Sequence, residues 1–224
     1  MISIIIPVLN EATCIESTLN RMQPMRKRGH QIILVDGGSQ DNTVALAEPL
    51  VDSLLYSTAG RAVQMNTGAA AASGDIIWFV HADTLMIPDT DVLLKNALYD
   101  SAKKWGRFDI RLSGDVKALR IIERMMNWRS RLSGIATGDQ GIFIHHETFE
   151  RIGGFANIPL MEDIEISKRL KRAAGRPLCL PRKLTTSSRR WEKNGMLPTI
   201  ILMWRLRLAY WMGANPVDLA GQYR

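Results

Sequence analysis

Two rhythms alternate along the chain. Short apolar, β-branched runs predict strands over residues 3–7, 31–36, 53–57, 76–81, 106–112 and 141–145. Between them, apolar positions recur at helical spacing and predict helices over 11–27, 42–50, 61–72, 89–103, 117–132, 147–152 and 162–174. Strand, helix, strand, helix is the pattern of an α/β layer fold, a mainly parallel central sheet flanked by helices. Such sheets bind ligands beyond the carboxyl ends of their strands. The polar clusters fall there: Pro7-Val8-Leu9-Asn10-Glu11 ends the first strand, Asp36-Gly37-Gly38-Ser39 the second and His81-Ala82-Asp83 the fourth. Three polar strand ends are expected to converge on one crevice.

The last apolar stretch, MLPTIILMWRLRLAYWMG over 196–213, breaks the alternation. A transmembrane helix needs about 20 largely uncharged residues, and Arg205 and Arg207 interrupt this one. Ile200, Trp204, Leu208 and Trp211 share one helical stripe. That suits a helix lying on a bilayer and equally suits one packed on the core. Composition is globular, 46% hydrophobic and 23% charged, so a single domain with a full core is expected. Charge is uneven: the chain carries +7, and residues 164–224 hold 13 Lys and Arg against 3 Asp and Glu. Such a basic end suits an anionic partner, phosphate or an anionic membrane touched peripherally, or is simply a solvated face. No nucleic-acid-binding module is recognisable, which removes nucleic acid as an expected partner. Cys14 and Cys179 are far apart and match no metal spacing, so they read as free thiols in a reducing, cytoplasmic setting.

Three clusters carry candidate chemistry. Asp36 and the two glycines after it form a tight turn in which a strand-end carboxylate can accept from a base or ribose. An ordinary turn with a helix cap would read the same way. Arg61 opens a helix whose free N–H groups suit a phosphate, and Gly68 with the alanines after it gives that helix a thin face. Glu162 and Asp163 open a helix too, where the dipole favours acidic residues and where a carboxylate can serve a cleft as general base. Neither a dinucleotide fingerprint nor a P-loop occurs.

Seven blocks, SIIIPVLNE, VDGGSQDNT, GRAVQMNTGA, SGDIIWFVHADT, TGDQGIFI, GGF with LMEDIEISKRLK, and SSRRWEKNG, stand in the order found in family 2 glycosyltransferases of the GT-A fold. The chain resembles that family over nearly its whole length, and within it the small bacterial radical-SAM- or selenodomain-associated subgroup. The resemblance implies a GT-A catalytic domain over 1–195, with the helix and tail of 196–224 part of the same domain. It implies an inverting transfer of a sugar from a UDP- or GDP-type donor. Asp36 would bind the base, with Pro7, Asn10 and Glu11 lining the nucleotide pocket and Arg61 and Asn66 beside base and phosphates. Asp83 matches the last aspartate of the family's DXD motif, which holds Mn²⁺ or Mg²⁺; His81 stands in place of the first and is either a ligand or a structural cap. Asp163 would be the catalytic base. Asp139, Gln140, Glu162, Arg190 and Trp191 would face the acceptor, although Ser187 replaces the glutamine that leads the family's QxxRW motif.

Two other readings compete. A nucleotidyltransferase would carry a Gly-rich, basic loop after its first strand, and PVLNEATC has neither feature. A non-catalytic membrane or anion binder would rest on the basic end and on Trp204-Arg205-Leu206-Arg207. The expected acceptor is lipid or membrane-associated, at the cytoplasmic face of the inner membrane.

Overall fold

A computed structural model describes residues 1–223, except for the side chain of Arg190. Seven strands, β1 (Ile2–Val8), β2 (Gln31–Asp36), β3 (Ser53–Tyr56), β4 (Ile76–Phe79), β5 (Trp105–Leu112), β6 (Phe143–His145) and β7 (Leu178–Thr186), form one sheet in the order β3-β2-β1-β4-β6-β5-β7. β6 alone runs antiparallel to its neighbours. The α-helices among the described residues are α1 (Ile15–Lys27), α2 (Thr43–Ala47), α3 (Arg61–Ala70), α4 (Thr90–Tyr99), α5 (Lys117–Ser133), α6 (His146–Arg151), α7 (Glu162–Ala174), α8 (Arg189–Asn194), α9 (Met196–Trp211) and α10 (Pro216–Tyr223). This is an α/β GT-A architecture with a mostly parallel sheet.

β1 lies between two parallel partners and is covered on both faces, which is why its sequence is almost continuously apolar. Its side chains still alternate. Ile4 and Ile6 join one core layer with Leu19 and Met22 of α1, while Ile5 joins the other with Met65 of α3 and Ile166 of α7. A Cβ at Gly68 would stand 2.5 Å from Ile5 Cγ2, so the thin face of α3 is what lets that helix approach the sheet. Register places Val8 beside Asp36 and Ile5 beside Phe79. The polar ends of β1, β2 and β4 therefore open on the same edge.

Two expectations need correction. The first helix starts at Ile15 rather than residue 11. Asn10 adopts φ 55°, and the backbone N–H groups of Asn10 and Glu11 donate to Ser39 Oγ (2.9 Å) and Thr43 Oγ1 (2.8 Å). These bonds hold the segment as a turn tied to the neighbouring loop. β7 has no counterpart among the predicted strands: Pro181, Arg182 and Lys183 interrupt its apolar run. It is an edge strand, and its register against β5 slips between Phe108 and Asp109, leaving Pro181 and Arg182 without partners in the pairing. An edge bulge is where a sheet tolerates proline.

Side-chain bonds fix α5 along β5. Asn127 accepts from Ile110 N (2.9 Å) and donates to Ile110 O (3.0 Å), and Glu123 accepts from Leu112 N. α9 packs through Leu202, Leu206, Ala209 and Tyr210 against Met161 and Ile164. Trp204, Leu208 and Trp211 remain more than half exposed. The helix thus rests on the core and still presents an aromatic face. No described helix is long and apolar enough to cross a membrane.

Candidate active site

A cleft of about 1060 Å³ opens where the ends of β1 and β4 meet α3, α5, α7 and α9. Its inner half is polar and its outer half apolar.

Pro7 and Glu11 line the inner half from β1 and its turn, with Arg61 at the start of α3 and His81 and Asp83 beyond β4. Asn10, Asp36 and Asn66 do not reach the cleft wall, and their polar groups are engaged elsewhere. Asn10 Oδ1 accepts from Gln40 N (2.8 Å). Asp36 accepts from the N–H groups of Gly38 (2.9 Å) and Ser39 (3.0 Å), shaping its own turn. Asn66 clamps both backbone groups of Phe155, at 2.8 and 2.9 Å. The neighbour missed in the sequence is Gln64. It donates to Val8 O (2.8 Å) and Val35 O (2.9 Å), locking the ends of β1 and β2 together from the cleft wall.

The segment after β4 is held from two sides. Leu85 exchanges backbone bonds with Thr185 of β7 (2.7 and 3.1 Å). His81 Nδ1 donates to Asp139 Oδ1 (3.2 Å), and a Cβ at Gly138 would stand 2.6 Å from His81 Nε2. The imidazole is wedged on the glycine with one nitrogen on a carboxylate. Burial pushes the Asp139 carboxyl up, but the His81 bond and the charges of His81, Arg61 and Arg207 outweigh it and hold the group below its ordinary value.

Asp83 is different. Burial raises its pKa, as do Asp139 and Glu11, against the pull of His81 and Arg189. Among the described residues its partner is Arg189, at the long distance of 3.8 Å. No described group of three or more His, Cys, Asp or Glu is arranged to hold a metal by itself. A half-buried carboxylate that has no hydrogen-bond donor among the described residues is nonetheless of the kind that can hold a divalent cation together with substrate phosphates.

Arg189 also reaches Glu11 Oε2 (3.4 Å) and Thr13 Oγ1 (3.4 Å). The side chain of Arg190 lies outside the described residues. Trp191 packs with Ile122 and Ile200 and lines the cleft. Cys14 lies behind Glu11; burial and that carboxylate push its thiol up to about 12 and keep it protonated and unreactive. Both cysteines are free.

Asp163 faces the middle of the cleft. Met161, a non-glycine residue at φ 68°, turns the chain into α7 and aims the two acids at its start. Asp163 Oδ2 accepts from Gly138 N (3.1 Å) and Oδ1 from Ile164 N (2.7 Å). Glu162 is buried beneath it, and burial and then Asp163 raise its pKa to about 7 while Arg61 opposes them. Arg61 is open to solvent yet ringed by protein. That enclosure disfavours its charge, and Glu162, Tyr223, Asp139 and Asp163 more than restore it. Gln140 turns inward, accepting from Thr137 N (3.1 Å), with Nε2 buried and unpartnered among the described residues.

The outer half is built by two helices absent from any motif. α5 presents Met125, Trp128, Arg129 and Leu132, and α9 presents Met203, Trp204 and Arg207. Arg207 drew notice in the sequence only as a basic residue in the aromatic stretch Trp204-Arg205-Leu206-Arg207, and Arg129 had no signal beyond its place in an amphipathic helix.

Residues 3–147 match the family model described as glycosyl transferase family 2. An uncharacterized glycosyltransferase of Mycobacterium tuberculosis is 33% identical over 122 residues, covering 50% of this chain and 47% of that protein. The chain thus spans about half the length of that relative. Among solved structures, Staphylococcus aureus TarS 1-349 superimposes with a TM-score of 0.68 at 16% identity, over 84% of this chain and 60% of that one. The mannosyltransferase PcManGT from Pyrobaculum calidifontis, in complex with GDP-Man and Mn²⁺, gives 0.67 at 23% identity, over 93% and 60%.

Proposed function

Because the chain belongs to glycosyl transferase family 2, we propose that it transfers a sugar from a nucleoside-diphosphate sugar to an acceptor hydroxyl with inversion. The observation that carries this is the shared cleft: Asp163, pinned by the Gly138 N–H, opens onto the same space as Glu11 and Asp83 at the strand ends. The acceptor oxygen attacks the anomeric carbon from the face opposite the diphosphate. A new C–O bond forms as the bond to the diphosphate breaks, the acceptor proton passes to Asp163, and the nucleoside diphosphate leaves with the electron pair.

Pro7, Glu11 and Gln64 form the floor for the nucleotide, with Asp36, Asn10 and Asn66 shaping the loops around it. Asp36, buried and bonded to the Gly38 and Ser39 N–H groups, would act on the base through the turn it shapes. Asp83 would hold a divalent cation, Mn²⁺ or Mg²⁺, which when bound neutralises charge on the diphosphate. PcManGT in complex with GDP-Man and Mn²⁺ supports that choice by fold. His81 acts here as a positioning residue through Asp139. Arg61 and Arg189 add positive charge to the floor. The radical-SAM-associated subgroup rests on motif order, and a lipid or membrane-associated acceptor on the apolar outer half and basic C-terminal part.

Thermal melting with UDP or GDP and Mn²⁺ tests the reading. A nucleotide at a hundred times its Kd adds about 2.7 kcal/mol, or roughly 5–10 °C for a chain of this size. Asp83→Ala should abolish the Mn²⁺-dependent part of the shift, whereas His81→Ala should weaken it. No shift with any nucleotide sinks the proposal.

A further inference from the structure

We propose that Arg129 and Arg207 form an anion site for a phosphate group carried by the acceptor. The proposal rests on the glycosyltransferase reading above and names the chemistry of its second substrate.

The two guanidinium groups reach the cleft from different helices, Arg129 from α5 and Arg207 from α9. Nε and Nη2 of Arg129 and Nε of Arg207 are buried without a hydrogen-bond partner among the described residues. Nε of Arg107 and Nε of Arg120 are likewise buried and unpartnered, but the nearby arginines differ in having carboxylate partners. Arg107 and Arg131 bond Asp109, and Arg120 bonds Glu123. Arg129 and Arg207 meet no described carboxylate within ion-pair distance. Burial and the charge of Arg207 hold Arg129 down to about 10, against the pull of Asp163. Two partly buried cations in one cleft, with buried nitrogens that lack described partners, are unfavourable in the free protein, because buried donors need partners and like charges repel. An anion placed between them removes both penalties.

The pair stands on α5 and α9, whereas Glu11 and Asp83 stand at the strand ends after β1 and β4. The anion would therefore sit on the helix-built side of the cleft, across from the strand ends, where an acceptor would enter. Phosphate suits two guanidinium forks because it offers several acceptor oxygens and up to two negative charges. Beyond the arginines the walls are Met125, Trp128, Met203 and Trp204. An apolar chain attached to the phosphate would lie there, and a polar one would pass through to solvent.

Isothermal titration of the full chain with inorganic phosphate and with dodecyl phosphate below its micelle concentration tests the site. Arg129→Gln and Arg207→Gln should each weaken both ligands by about tenfold or more, and Arg129→Lys should recover part of the loss. The Gln variants should melt at the same temperature as the parent or higher, since each removes a partly buried cation that lacks a described ion-pair partner. Their affinity for UDP or GDP should be unchanged. Tighter binding of dodecyl phosphate identifies an apolar-tailed acceptor, and equal affinities a water-soluble phosphate; either supports the site. Absence of phosphate binding at millimolar concentrations overturns it, as does binding indifferent to both substitutions. Parallel loss of nucleotide binding overturns it too, by placing the arginines on the donor diphosphate. Failure of the transferase reading looks different: phosphate binds through the arginines while no nucleotide binds at all.

Discussion

The inner and outer halves of the cleft are built on opposite principles. On the inner side, turns are stitched to one another: Asn10 to Ser39 and Gln40, Glu11 to Thr43, and Gln64 across the ends of β1 and β2. Backbone and side-chain groups there satisfy one another before any ligand arrives, so the floor is preorganised. On the outer side, α5 and α9 offer apolar side chains and two arginines whose buried nitrogens lack described partners. A stitched floor suits a ligand of constant shape, such as a nucleoside diphosphate. A wall of separate side chains can change with the acceptor while the floor stays as it is. Asp163 stands at the junction and should belong energetically to neither half.

That placement gives the largest expected effect. Asp163→Asn keeps an acceptor oxygen for the Gly138 N–H but removes the base. Turnover should fall by about 10²–10⁴, while nucleotide affinity and phosphate affinity both hold. Retained turnover within tenfold would remove Asp163 as base, and a matching loss of nucleotide affinity would erase the boundary between the halves.

Glu162 sharpens the boundary through pH. Its carboxyl rises from an ordinary 4.5 to about 7, chiefly by burial and then by Asp163. Between those values the folded chain binds more protons at this group than the unfolded chain does. The stabilisation is complete below pH 4.5 and is lost as pH climbs through 7, on the order of 3 kcal/mol in all. Glu162→Gln should remove that decline and melt higher than the parent at pH 8. Denaturation curves whose pH slopes are the same in both proteins would show that Glu162 ionises freely and that the ground beneath Asp163 is wet.

The same contrast governs what a reader of the sequence could see. Elements covered on both faces announce themselves, as β1, β2 and β4 do through unbroken apolar runs. β7 does not, because an edge strand tolerates Pro181 and Arg182 in a bulge and leaves Lys183 exposed beside them. The polar strand ends were legible because topology alone gathers them. Their individual tasks were not: Asn66 reads as a residue beside base and phosphates and its side chain holds Phe155, and His81 reads as either a ligand or a structural cap and its ring meets Asp139. Arg207 was legible only as part of a basic, aromatic stretch and Arg129 not at all, because their pairing lies in the approach of two helices far apart in the chain. Arg189 was hidden differently, as the neighbour of the arginine that the motif singles out.

The smallest expected effect concerns the rim of the outer half. Trp128 is 67% exposed on α5 and Trp204 63% exposed on α9, and both line the cleft. A large indole left in water contributes little to folding, so replacing either by Ala should change stability by only about 0.5 kcal/mol. On an anionic bilayer the same rings would enter the headgroup region while nearby basic residues meet lipid charge. Sedimentation with anionic liposomes at low salt should carry the parent down, and each substitution should weaken partition by about fivefold. High salt should weaken the parent as well, because the charge contribution is screened. Nucleotide affinity, set on the inner side, should not move in either variant. A parent that stays in the supernatant at low salt would remove the membrane from the proposal and leave the aromatic rim as an acceptor contact alone.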